Sequence, residues 1–364
     1  MNAMPAPRSA YLVREIDSSA RRGGQGGIFL MNDEVDLVYT WCDSADPVWN
    51  AKRLATARAC GLSADAPANA SCRFSANDEL KYSLRSAEKC VPWVRKVFLV
   101  IDDDSALPVW LRPDHPKIRI VRHSEIMPRE YLPCFCSGTI EHHLARIPDL
   151  AEKFIYSNDD MMFYRPLAPS FFFAADGYPL FRFGRKKAPV PDGKMTNYYF
   201  NLEQADLLIR KEFGSCGGEL ALARSRYPHH CIDAYRKSDM LECHERFAPV
   251  LKKSFLFPFR SPDKVQRVIY ACEAIARGHG HFRQSWSGIG RRPWYKRLLR
   301  PGWADSLRFG GNQWRTGPRM LAKWRPGMFC FNDTDGITDE DKRWLKAFCD
   351  ELYPVRSGFE RDEP

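Results

Sequence analysis

The sequence lacks most of the signatures that assign a chain quickly. Its 12 cysteines in 364 residues are too sparse and irregular for a disulfide scaffold. None pair as C-x-x-C, which excludes the common structural zinc sites. Cys134 and Cys136, one residue apart, are weak evidence for anything, and the cysteines read as small buried apolar groups in a reducing compartment. Glu141, His142 and His143 do not complete an H-E-x-x-H zinc motif. Gly214–Gly218 is glycine-rich enough for an anion nest but has neither the lysine nor the spacing of a P-loop. No apolar run is long enough to span a bilayer, and residues 1–27 are polar with no apolar core of a signal peptide. The expectation is a cytoplasmic protein, at most peripheral at the inner face of the plasma membrane. No internal repeat is visible.

What is present is a basic globular chain. A formal net charge of +10 favours an anionic partner, among them nucleotide, phosphorylated polymer, nucleic acid and acidic membrane, or simply a solubilising surface. An aromatic content of 13% excludes wholesale disorder. Residues 1–32 read as a flexible leader, 33–278 as a catalytic α/β core, 279–326 as a basic and aromatic insertion, and 327–364 as a strand and helix completing the core.

Within the core, short β-prone runs alternate with helical periodicity. Val35–Trp41, Val97–Ile101, Ile118–Val121 and Phe154–Tyr156 read as strands. A helix opens at Glu79 and Leu80, capped by Asn77 and stopped by Pro92. A second spans Thr139–Ile147. This rhythm predicts a mostly parallel sheet, with ligands beyond the carboxyl ends of its strands. Acid-bearing segments around Asp43, Asp102 and Asp159 leave strands at that edge. Further on, helices are expected at 202–211, 235–247 and 263–277, a strand at Met328–Asp333, and a final helix at Asp339–Leu352.

Each candidate site has two readings. Asp159 and Asp160 are hard oxygen ligands suited to Mg²⁺ or Mn²⁺ on a diphosphate, one binding directly and its neighbour orienting it; equally, they are acids of a turn or helix cap. Glu141 reads as a partner for a sugar hydroxyl or a supporting acid, with His142 and His143 on the helix surface. His229 and His230, at a helix entrance after Tyr227–Pro228, offer a general base or a packing histidine. Arg260, between aromatic and turn residues, suits phosphate clamping or the bare surface. The basic and aromatic 283–325 stretch fits nucleic acid, a lipid surface, an anionic glycan, or a solvated face.

Taken together, four blocks resemble the Stealth family of hexose-1-phosphoryltransferases: Asp36–Pro47; Arg73–Ser86 continuing through Pro92–Lys96, Leu132–Pro133, Ile140–Glu141 and Phe154–Asp160; Tyr227–His230 through Phe259–Pro262; and Phe329–Thr334 with Ser357–Glu360. The resemblance implies a nucleotide-sugar-binding core of GT-A or Rossmann type. It implies a UDP-sugar donor, a polysaccharide or glycolipid hydroxyl acceptor and no nucleic acid, with the 283–325 stretch left for membrane or anionic glycan. It assigns catalysis to His230, Arg260 and Asp160, metal binding to Asp159 and Asp160, and donor binding to Asp36, Trp41, Asn77, Arg85, Ser137 and Glu141. Departures occur where Ser75–Ala76 precede Asn77, where Asp103–Asp104 replace a Gly-Gln pair, and at His230–Ile232; they bear on sugar and acceptor specificity. The expected reaction is attack of a hydroxyl, deprotonated by His230, on the phosphorus that bears the sugar, with release of UMP. The rivals are a glycosyltransferase releasing UDP and a non-catalytic module binding an anionic polymer.

Overall fold

In the computed structural model, residues 34–63, 66–187, 195–214, 217–285, 304–334 and 336–362 are described. The expected leader, the centre of the Gly214–Gly218 motif and residues 286–303 of the basic stretch lie outside them. The strands are β1 (Val35–Thr40), β2 (Val97–Ile101), β3 (Ile118–Arg122), β4 (Lys153–Asn158), β5 (Met161–Phe163), β6 (Leu180–Lys186), β7 (Arg226–Pro228), β8 (Asp233–Arg236), β9 (His281–Gln284), β10 (Ser306–Gly310) and β11 (Met328–Asn332). The main sheet runs β3-β2-β1-β4-β8. Its first four strands are parallel and β8 is an antiparallel edge. The expected α/β architecture with a mostly parallel sheet is therefore observed.

Apolar side chains cover both faces, as a parallel sheet sandwiched between helices requires. Val38, Phe98, Val100, Val121, Phe154 and Tyr156 face one core, closed by helices 197–213, 237–246, 248–255 and 268–276. Leu37, Tyr39, Val97, Leu99, Ile101 and Ile155 face the other, against Leu80, Leu84 and Ala87 of helix 79–90. Each fully buried Leu, Ile, Val or Phe contributes about 1.5–3 kcal/mol. A second sheet, β10-β11-β5, carries its own core with helix 339–352, and a third runs β7-β6-β9. The described ends of the 279–326 stretch are thus woven into sheets.

Several local expectations change. Asp46 caps a helix over Pro47–Ala59, accepting from Val48 N and Trp49 N, where the sequence reads as a turn and no helix was expected. The helix expected over Thr139–Ile147 shortens to Ser137–Glu141 followed by a 3₁₀ turn, Leu144–Arg146. His142 and His143 are buried rather than on a helix surface. His142 bridges Tyr270 and Val265 O, and His143 bonds Thr139 O; burial pushes both imidazoles down to about 3. The 235–247 segment splits into β8 and helix Lys237–Arg246, and the helix expected from 263 begins at Val268. Asp78, with φ of 63°, sits at the cap position expected for Asn77, whose side chain instead bonds Glu79 Oε1.

Candidate active site

The site forms where the chain steps from the first sheet to the second. β4 ends at Asn158, Asp159 and Asp160 make the turn, and β5 begins at Met161. Because Met161 pairs with Cys330 of β11, Asp160 lies beside that cysteine. The Cys330 thiol donates to Asp160 Oδ2 at 3.1 Å, and Phe331 N to Asp160 O at 3.3 Å. His230 enters from the link between β7 and β8. Ligand atoms of Asp160, His230 and Cys330 all lie within 4.8 Å of one another. Asp160 Oδ1 and His230 Nε2 are buried with no hydrogen-bond partner among the described residues.

The charges explain why this arrangement suits a cation. Burial, then the neighbouring Asp160 and Glu79 carboxylates, holds Asp159 well above the usual carboxylate range. Burial raises Asp160 to about 6, against the opposing pull of the Cys330 hydrogen bond and the Arg308 charge. Glu79 is pushed up to about 7 by burial, opposed by its bonds to Asn77. Three carboxylates are crowded together with two unpartnered polar atoms among them, a situation a divalent cation relieves. The oxygen, nitrogen and sulfur donors therefore fit a metal, and imidazole and thiol favour Mn²⁺ over the harder Mg²⁺. His230 is driven down to about 3 by burial and by the Arg308 and Arg267 charges. So weak a base takes a hydroxyl proton poorly at neutral pH, whereas a neutral nitrogen is what coordination requires.

A second layer fixes these groups. Arg267 donates to Glu141 Oε2 at 3.1 Å, Asp233 Oδ2 at 2.6 Å and Tyr235 Oη at 3.1 Å. Asp233 pairs in turn with His229 Nε2 at 2.6 Å, immediately before His230. The Tyr156 hydroxyl lies within hydrogen-bond reach of Thr40 Oγ1, Asn158 Oδ1 and Glu141 Oε1, linking the ends of β1 and β4 to Glu141.

The sequence-predicted residues divide accordingly. Asp160 and His230 meet, Asp159 adjoins them, and Asn77 touches the cluster through Glu79. His229 and His230 precede a strand, not a helix. Ser137 and Glu141 lie on one short helix, and the exposed Arg260 donates to Ser137 Oγ at 3.1 Å. Trp41 follows β1, half-buried, with its backbone N–H on Val100 O. Asp36 and Arg85, expected at the donor, lie away from the Asp160 cluster and are engaged by other groups. Asp36 is at the amino end of β1, opposite the site, and accepts from Arg95, Lys96 N and Ala151 N. Arg85 forms a buried two-pronged pair with Glu360 and bonds Tyr353 O, tying down the tail. Of the strand-end acids, Asp102 is neutralised by Lys52 at 2.7 Å, and Asp43 accepts from Ala45 N within its own turn. Sequence reasoning missed Cys330, Glu79, Arg267 and Arg308 as site residues; Cys330 was signalled by its place in the Phe329–Thr334 block.

Residues 73–181 match the family model described as Stealth protein CR2, conserved region 2. The exopolysaccharide phosphotransferase CpsY of Mycobacterium tuberculosis is 36% identical over 334 residues, covering 90% of this chain and 58% of that protein. The receptor polysaccharide phosphotransferase WefC of Streptococcus oralis is 29% identical over 90% of this chain and 99% of its own. The chain spans from 33% to 57% of the length of three Streptomyces coelicolor exopolysaccharide phosphotransferases that it also matches. Among solved structures, the galactosyltransferase LgtC with donor and acceptor sugar analogues aligns over 88% of this chain and 96% of its own, with 11% identity and a TM-score of 0.42. The chain belongs to the Stealth family.

Proposed function

We propose that the protein transfers a hexose- or N-acetylhexosamine-1-phosphate from a UDP-sugar to a hydroxyl of a glycan acceptor in capsule or cell-surface polysaccharide synthesis. The observation that carries this reading is the Asp160–His230–Cys330 cluster at the carboxyl edge of the main sheet, with its unpartnered oxygen and nitrogen. The names of the polysaccharide phosphotransferases it resembles support the acceptor class.

Asp160, His230 and Cys330 would hold the divalent cation, Mn²⁺ or Mg²⁺, with Asp159 as the adjacent orienting carboxylate. Such a cation, when bound, offsets the charge of a pyrophosphate. The acceptor oxygen bonds to the phosphorus that carries the sugar, the bridge to the second phosphorus breaks, UMP leaves with that bridging oxygen, and the hydroxyl proton passes to the departing phosphate. The sugar–oxygen bond is untouched, so anomeric configuration is kept. A loose transition state asks for positioning and charge stabilisation more than for a strong base, which agrees with a weakly basic His230. Glu141, held by Arg267, would orient a sugar hydroxyl, and Arg260 would meet phosphoryl oxygens.

The test is incubation with a panel of UDP-sugars, a polysaccharide acceptor and Mn²⁺ or Mg²⁺, followed by identification of the nucleotide released. UMP with a phosphodiester product is expected. UDP would instead assign sugar transfer, and no turnover, with polymer binding intact in the Asp159→Asn/Asp160→Asn double variant, would leave a binding module.

A further inference from the structure

One arginine of the basic stretch is turned toward the site by the fold. In β10, Leu307 and Phe309 enter the core they share with Phe329 and Phe331, so Ser306, Arg308 and Gly310 share the opposite face. The parallel register places Arg308 beside Cys330 on that face, and the Cys330 thiol is the group that reaches Asp160. Ser306, two residues and roughly 7 Å back along the strand, lies 3.5 Å from His229 Nδ1. Arg308 is therefore fixed on both sides by residues that touch the cluster or its immediate neighbour.

The guanidinium itself is exposed and makes no hydrogen bond or ion pair with any described residue. The other candidate arginines differ. Arg267 is saturated by Glu141, Asp233 and Tyr235, and Arg260 donates to Ser137 on a different element. Arg308 charge acts on both Asp160 and His230, lowering each, as a cation at the rim of the cluster must. Five donors in a planar fork, unpaired beside a carboxylate cluster, are complementary to the non-bridging oxygens of a phosphate.

We propose that Arg308 is a phosphate-binding residue of the site, its guanidinium receiving pyrophosphate oxygens beside the Asp160–His230–Cys330 cluster. This rests on the sugar-phosphate transfer reading, and it separates Arg308 from the polymer or membrane contact otherwise open to the basic stretch.

The probe is inorganic pyrophosphate, titrated calorimetrically into the full chain with saturating Mn²⁺. Loss of a charge-assisted pair predicts that Arg308→Gln binds pyrophosphate roughly 10- to 100-fold more weakly. Arg308→Lys, which keeps the charge without the fork, should fall between, and it preserves the test should the glutamine variant not fold. Arg210→Gln removes an exposed arginine near the far end of helix 197–213 and should bind as wild type does; equal weakening there would reduce the effect to bulk charge and overturn the proposal. It is also overturned if Arg308→Gln binds within twofold of wild type, or if wild type binds no pyrophosphate. Wild type that binds pyrophosphate through Arg308 yet releases no UMP from any UDP-sugar would sink the proposed reaction while leaving the anion site intact. Where turnover is seen, kcat of Arg308→Gln should fall roughly 100-fold or more with the acceptor KM unchanged.

Discussion

Replacing Asp160 by asparagine should stabilise the metal-free protein while abolishing its response to cations. Without a cation, the folded state holds the Asp160 proton more tightly than the unfolded chain does, because the carboxyl rises from 3.8 to about 6. For a raised carboxylate the linkage runs opposite to the usual salt-bridged case: stability is fully retained below 3.8 and is lost as pH climbs through about 6. At full burial the cost of ionisation at pH 7 is about 3 kcal/mol, and partial exposure with solvent screening reduces it to roughly 1–2 kcal/mol. Asp160→Asn removes that cost, so its melting temperature in EDTA at pH 7.5 should exceed that of wild type by roughly 2–4 °C, a gain that vanishes near pH 4. A hundredfold excess of Mn²⁺ over Kd reverses the order, since wild type gains about 2.7 kcal/mol and the variant gains nothing. Differential scanning fluorimetry across pH, with EDTA and with Mn²⁺, reads both effects. A variant less stable than wild type in EDTA at pH 7.5, or an equal Mn²⁺ shift in both proteins, would show that Asp160 is not the strained anchor of a cation site.

Cys330→Ser should weaken Mn²⁺ binding by about tenfold or more and Mg²⁺ binding much less, because sulfur discriminates between the two; isothermal titration with each ion decides, and equal losses would make the thiol a hydrogen-bond donor alone. With His230 lowered to about 3, the kcat profile between pH 5.5 and 8 should carry no inflection that disappears in His230→Gln; an inflection near 6.5 lost in that variant would restore the general base. Glu360→Gln removes the two-pronged partner of buried Arg85 and leaves it Asp350, at 3.9 Å, as counter-charge, so urea unfolding should show a loss of about 3 kcal/mol, while the donor KM of the folded fraction stays unchanged; a raised KM would return Arg85 to donor binding. Asp36→Asn should behave in the same way through Arg95, destabilising the fold without altering metal affinity.

The fold was legible wherever local signals agree with burial. Helix Asp339–Leu352 is read with its observed bounds because its apolar period and the acids of its first turn coincide. The parallel strands are legible because continuous apolar runs have few other uses. Pro47–Ala59 was hidden by an Asp-Pro pair that reads equally as a turn or as cap and first helical residue, and by an apolar stripe too thin to decide between them. The buried pair His142–His143 depends on distant partners, Tyr270 and Val265 for His142 and the Phe255 ring for His143, over a hundred residues away, which no local pattern reports. The site shows the same division. The acids at the end of β4 are visible as a strand exit, but Cys330 and Arg308 become site residues through strand pairing in a second sheet. Asp36 and Arg85 show the converse: a charged residue inside a recognisable block can be there to hold the scaffold.

That scaffold explains why the two adjacent aspartates are not equivalent. The turn between β4 and β5 must cross from one sheet to the other, and the second sheet takes hold of Asp160, through Phe331 N on its carbonyl and the Cys330 thiol on its carboxylate. Among the described residues Asp159 has no such anchor from the second sheet; its carboxyl is raised chiefly by burial and by its acidic neighbours, against hydrogen bonds from the backbone N–H groups of its own turn. A rigid, aimed carboxylate next to one whose ionisation awaits a counter-charge gives a site that assembles its full charge when a cation arrives. Ion binding should therefore release protons: calorimetric titration of Mn²⁺ at pH 6.5 in buffers of different ionisation enthalpy should show net release, reduced in Asp159→Asn. Proton release unchanged by that substitution would mean that Asp159 is not coupled to the cation site, and the orienting role assigned to it would fall.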